Sequence, residues 1–134
     1  MQYLNWKEFI EKSKKYYYEI CSISCPAFGG ELIYFNSHGY KHLIRKGKDM
    51  RNLEQQKRRI ELLPIAVKIL SESAKFEEYY ISNKTINNGA ILKISICHFW
   101  SFEKSFNKKI VTVVVRKIQN GRKHYLSVMD KDIP

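Results

Sequence analysis

Four histidines, His38, His42, His98 and His124, are the side chains of this sequence best suited to moving protons near neutral pH. His42 stands between Lys41 and Arg45 in a segment with helical spacing, just ahead of a basic loop. Cationic neighbours lower an imidazole pKa and favour its neutral form, which suits a general base. The competing reading of His42 is an ordinary exposed histidine on a helix. His124 follows Arg122 and Lys123 at the end of a hairpin, where it reads as a general acid, as a phosphate contact or as a solvated surface group. His98 shares a strand face with Ile94, Ile96 and Trp100, and a satisfied core histidine is the expectation there. His38 precedes Gly39 at a helix start and is expected on the surface or in a cap.

Cleavage of RNA without a metal needs few parts. A base takes the proton of the 2′-OH, an acid protonates the leaving 5′-oxygen, and cations hold the negative charge that builds on phosphorus. His42, His124 and the arginines, Arg116 among them, supply those residue types. The sequence has no Gly-rich phosphate loop, no Cys–His nucleophile signature and no clustered carboxylates for magnesium, which makes a metal-dependent nuclease or a nucleotide hydrolase less attractive. Cys21 and Cys25 have a loose four-residue spacing that no second Cys or His pair answers, so no metal site and no cofactor are expected.

Charge points the same way. The 134 residues carry 24 Lys and Arg against 13 Asp and Glu, a formal net charge of +11. A field of that sign draws phosphate polyanions, and counterion release then drives binding. Nucleic acid is the expected partner; an acidic protein comes next and a membrane surface last. Three cysteines, an odd number, fit a reducing compartment, so a cytoplasmic location is expected. No apolar run reaches the ~18 residues of a membrane helix, and the charged, amphipathic N-terminus is not a secretory signal.

The elements that must position these residues read as one α+β domain over residues 1–134, with N-terminal helices packed on a C-terminal antiparallel β-sheet meander. Apolar residues at helical spacing predict helices over about 3–20, 37–46 and 53–74. Asn36 or Ser37 caps the second, Gly47 ends it, and Pro64 predicts a kink or a new start in the third. Strands are expected over about 31–36, 76–82, 91–100, 110–119 and 122–129, with a polar turn at 83–89 and a polar connection at 101–109. Tyr16–Tyr18 could stack bases, but aromatics on such a helix are more often core.

Asn120-Gly121 predicts a two-residue turn with both residues at positive φ. That register pairs Arg116 with Tyr125, Val114 with Ser127 and Lys117 with His124. One face then carries Val111, Val113, Val115, Leu126 and Val128 toward the core. The other carries Thr112, Val114, Arg116, Tyr125 and Ser127, an open face holding a cation, a phenol and a hydroxyl, or simply the wet face of an antiparallel sheet. In this register His124 and Ser127 fall on opposite faces unless a bulge intervenes.

Tyr34-Phe35-Asn36-Ser37-His38-Gly39-Tyr40-Lys41-His42-Leu43, then Arg51, then Gln55-Gln56-Lys57-Arg58-Arg59-Ile60-Glu61-Leu62-Leu63-Pro64, resembles the phage-associated nucleases of the barnase–EndoU–colicin–RelE superfamily. The resemblance covers about Gly30 to Leu70, and the hairpin from Val111 to Met129 matches in pattern. It implies a barnase/RelE-like fold and a metal-independent, toxin-like endoribonuclease of phage or mobile-element origin, working with an antitoxin or immunity partner. By charge complementarity that partner is expected to be acidic. By matching position, His42 takes the helix role, and Arg116 with Ser127, or His124, takes the sheet role. Arg58 or Arg59 contacts phosphate. Lys41, Arg45, Lys46, Arg51 and Tyr125 complete the expected RNA-binding set. The alternatives are a non-catalytic RNA- or DNA-binding module, with a spread-out basic surface, and a protein that acts by binding another protein, with an exposed apolar patch.

Overall fold

A computed structural model describes residues 5–88 and 91–133. Among them the chain forms α1 (Trp6–Ile20), β1 (Ser22–Ser24), a 3-10 turn (Pro26–Phe28), β2 (Leu32–Tyr34), α2 (Ser37–Ile44), β3 (Arg45–Lys46), β4 (Asp49–Met50), α3 (Leu53–Glu72), β5 (Glu78–Asn88), β6 (Ile91–Phe106), β7 (Lys109–Ile118) and β8 (His124–Asp132). The class is α+β, with the helices ahead of the main sheet strands. The expected helix start at Tyr3, and Gly89 in the expected polar turn, lie outside the described residues.

Side-chain caps start the helices. Asn5 Oδ1 accepts from the Glu8 N–H at 2.8 Å, and Asn36 Oδ1 accepts from the His38 N–H at 3.1 Å. Asn52 and Gln55 form a reciprocal capping box on α3. Pro64 neither ends nor restarts α3, which runs unbroken through it. The proline sits on the exposed side, while Leu62, Leu63, Ala66, Ile69 and Leu70 pin both halves of the helix into the core.

Six strands form one sheet in the order β1-β2-β8-β7-β6-β5. The meander from β5 to β8 is antiparallel as expected, but the sheet is mixed, because β2 pairs parallel to β8 at Tyr34 and His124. β5 and β6 are longer than expected: the polar segments 83–88 and 101–106 are strand. The tight turn falls at Asn107-Lys108, both at positive φ, between Phe106 and its partner Lys109. At the other end of β7 the expected two-residue Asn-Gly turn is absent. Residues 119–123 form a wider loop in which Gln119, not Gly121, has positive φ. The Tyr34 N–H donates to the Lys123 carbonyl at 3.0 Å, and Lys123 Nζ pairs with Glu31 at 2.8 Å. These contacts draw the loop toward β2 and open the hairpin end.

The main core lies between the helices and one sheet face, where Tyr17, Ile33, Leu43, Leu63, Phe102, Val113, Val115 and Tyr125 are fully or almost fully buried. Burial of each such side chain contributes roughly 1.5–3 kcal/mol. A smaller cluster of Cys97, Phe99 and Leu126, flanked by Val114 and Ile118, forms apart from it. Ile94 and Ile96 are 73% and 47% exposed, so the His98 face is not a core face there. His98 instead hydrogen-bonds the Tyr79 hydroxyl through Nδ1 at 2.6 Å and stacks beside Tyr79 and Trp100, which also stack on each other.

Candidate functional site

A bulge on β8 sets the site's geometry. Val114 pairs with Ser127 as the ideal register requires, but the next pairs are Val115 with Tyr125 and Arg116 with His124, so Leu126 is the extra residue. Beyond it every side chain of β8 changes face relative to the expectation. Tyr125 turns into the main core, fully buried and stacked on Phe35 at 4.9 Å. It is therefore not an RNA-binding residue of an open face. Leu126 leaves the main core for the smaller cluster. His124 now faces the same way as Arg116 and Ser127, because cross-strand partners share a face.

α2 brings the other half. It packs along β8 and presents Gly39, Tyr40 and Leu43 to the interior. Gly39 permits the approach, since a Cβ there would meet the Tyr17 hydroxyl and would lie 2.5 Å from the Tyr125 carbonyl oxygen. His38 and His42, one helical turn apart, share a side of α2. His38 stacks on His124 with ring centroids 5.1 Å apart, which corrects its expected place on the surface or in a cap. The cap is Asn36.

His38, Lys41, His42, Arg45, Gly47, Thr85 and Arg116 line a cleft of about 330 Å³. Gly47 does not end the helix: α2 stops at Ile44, and Gly47 turns the short β3–β4 hairpin at positive φ. Among the described residues no carboxylate lines the cleft. Arg116 is 9% exposed and makes no ion pair among the described residues; its Nε donates to His124 Nε2 at 3.0 Å. Arg51 braces α2 from α3's N-terminal side, its Nε donating to the His42 carbonyl at 2.9 Å. Arg59 is half-buried and donates to the Val128 carbonyl at 2.9 Å.

This cationic, partly desolvated setting keeps the imidazoles neutral. Burial first, then Arg116, Arg51, Arg59 and His38, push the His42 pKa down to about 4. Burial, Arg116 and His38 push His124 down to about 3. Burial, Arg116 and Lys41 lower His38 as well.

Of the residues singled out in the sequence, His42, Arg116, Lys41 and Arg45 meet in the cleft, with His124 directly behind Arg116. Ser127 is buried on the same sheet face, two positions along β7 from Arg116, and is not a lining residue. Lys46 is exposed on the β3–β4 hairpin. Arg58 is tied to Asp130 by a close ion pair. Among the described residues no three His, Cys, Asp or Glu side chains gather as metal ligands. The three cysteines are unpaired thiols, Cys25 and Cys97 buried. No described helix is long and apolar enough to cross a membrane. No protein-family model, no curated protein and no solved structure matches this chain.

Proposed function

We propose that the protein is a metal-independent, toxin-like endoribonuclease of the cytoplasm whose active site is the cleft between α2 and β7. The observation that carries this reading is Arg116, a nearly buried guanidinium with no carboxylate partner among the described residues, opening on the same cleft as His42. A buried charge needs a counter-charge, and a phosphodiester supplies one. Lys41 and Arg45 add cations at the rim, and neutral His42 supplies an acid/base group beside the bound phosphate. A binding module needs only a dispersed basic surface, whereas this cleft combines an imidazole with a fixed cation. The resemblance of Tyr34–Pro64 to toxin-like nucleases agrees with this chemistry. An acidic antitoxin or immunity protein is the partner that the +11 charge and the carboxylate-free cleft favour.

The exposed apolar side chains Tyr79, Ile81, Ile94 and Ile96 on the β5–β6 pair favour a second reading, action through a protein partner. Incubation of the purified protein with total RNA in EDTA separates the readings. Fragmentation by wild type and none by His42→Ala supports the nuclease. Intact RNA bound with a steep salt dependence supports a binding module, and no RNA binding at all supports the protein-partner reading.

A further inference from the structure

We propose that His38 and His42 are the two residues that exchange protons with the substrate, and that His124 is a positioning residue that holds the Arg116 guanidinium. This inference rests on the ribonuclease reading and deepens it.

His124 has no nitrogen lone pair to offer a substrate. Its Nε2 accepts from Arg116 Nε, which leaves the imidazole proton on Nδ1. With that lone pair taken it has none for a 2′-OH, and it does not line the cleft where a leaving oxygen would sit. Protonation at Nε2 would set two donors face to face and break the bond to Arg116. The residue is buried, at the start of β8, and the His38 ring covers one of its faces.

His38 and His42 are placed differently. Both line the cleft, and among the described residues neither ring hydrogen-bonds a protein group. Their spacing of one turn puts the Cβ atoms ~5–6 Å apart, close enough for both rings to reach one phosphodiester. The charged and titratable groups that face them are Arg116 on β7, His124 on β8, Lys41 and Arg45 on and just after α2, and Arg51 and Arg59 from the α3 side. Burial and these cations keep both rings neutral until substrate binds. A bound phosphodiester offsets them, so one ring gains a proton as substrate binds.

The step then balances. The 2′-oxygen bonds to phosphorus and its proton passes to the neutral imidazole. The bond from phosphorus to the 5′-oxygen breaks, and the protonated imidazole gives that oxygen its proton. The products are a 2′,3′-cyclic phosphate and a 5′-hydroxyl, and no water or other reactant is consumed.

Steady-state cleavage of an RNA oligonucleotide in EDTA, from acid to mildly alkaline pH, tests the assignment with His38→Gln, His42→Gln and His124→Gln. His38→Gln and His42→Gln each lose ~10²-fold or more in kcat/KM, and each removes one limb of the pH profile. His124→Gln, whose side-chain oxygen can still accept from Arg116, loses far less and keeps both limbs. Full activity in His38→Gln, or loss of a limb in His124→Gln, overturns the assignment while active wild type keeps the nuclease reading. Uncut RNA with wild type overturns the reading itself and the proton exchange with it. Histidine NMR with uridine 3′-monophosphate reads the geometry apart from activity. One of His38 and His42 takes up a proton on binding while His124 keeps its tautomer, and protonation of His124 overturns the assignment.

Discussion

Arg116 is the residue on which the site turns. A guanidinium this deeply placed, without a carboxylate partner among the described residues, is a desolvated charge whose side-chain hydrogen bond goes to a neutral imidazole, His124. Arg116→Met is therefore expected to raise the free energy of unfolding by ~1 kcal/mol or more, because it removes an uncompensated buried charge. The same variant is expected to lose RNA cleavage. Chemical denaturation beside an activity assay checks both, and lower stability would mean that Arg116 serves the fold. His42 was legible in the sequence from its residue type and cationic neighbours, and Arg116 from its place on the hairpin face turned away from the core. His38 was not, because its place at a helix start suggested a surface or capping role. Its i, i+4 spacing from His42 was the signal available. Tyr125 was misplaced for a reason no residue type could reveal: one extra residue, Leu126, reverses the face.

Elements decide whether those residues meet. α2 comes close enough to β8 for His38 to stack on His124 only because position 39 has no side chain. Gly39→Ala is expected to cost ~1–3 kcal/mol, the scale of overpacking, and to weaken cleavage by moving α2 away from Arg116. Chemical denaturation reads the cost, and an unchanged midpoint would mean that the helix shifts freely. Periodicity identified the three helices and the order of the long strands, since burial imposes a period on any element with one covered face. It missed the length of β5 and β6, because 83–88 is mostly polar and in 101–106 the buried Phe102 stands among Ser101, Glu103, Lys104 and Ser105, too few apolar residues for a visible alternation. The turn chemistry also misled. Asn120-Gly121 has the composition of a tight turn, but the contacts of Lys123 with Tyr34 and Glu31 hold the loop open. Asn107-Lys108 makes the tight turn instead.

Across the whole molecule the excess of positive charge is readable from composition alone, whereas the meeting of Lys41, Arg45 and Arg116 in one cleft only the fold could show. It carries a cost at low pH. His42 and His124 have pKa values of about 4 and about 3 in the folded protein against an ordinary 6.5. Between those values and 6.5 the unfolded chain binds more protons than the folded one, so stability rises with pH. Their contribution is fully present above about pH 6.5 and is lost as pH falls toward the folded values. Unfolding free energy is expected to drop by ~2–4 kcal/mol between about pH 7 and about pH 5. Urea titrations at the two pH values check this, and equal midpoints would place both imidazoles in contact with solvent.

The central claim is that this cleft cleaves RNA by attack of the substrate's own 2′-oxygen. The most direct measurement is the product ends formed in EDTA from an RNA oligonucleotide, read by mass spectrometry, beside the same oligonucleotide with a single 2′-deoxy substitution at the cleaved position. A 2′,3′-cyclic phosphate and a 5′-hydroxyl from the first, with the second left whole at that bond, is the expected result. Cleavage of the 2′-deoxy bond at an equal rate, or no cleavage until magnesium is added, would contradict it.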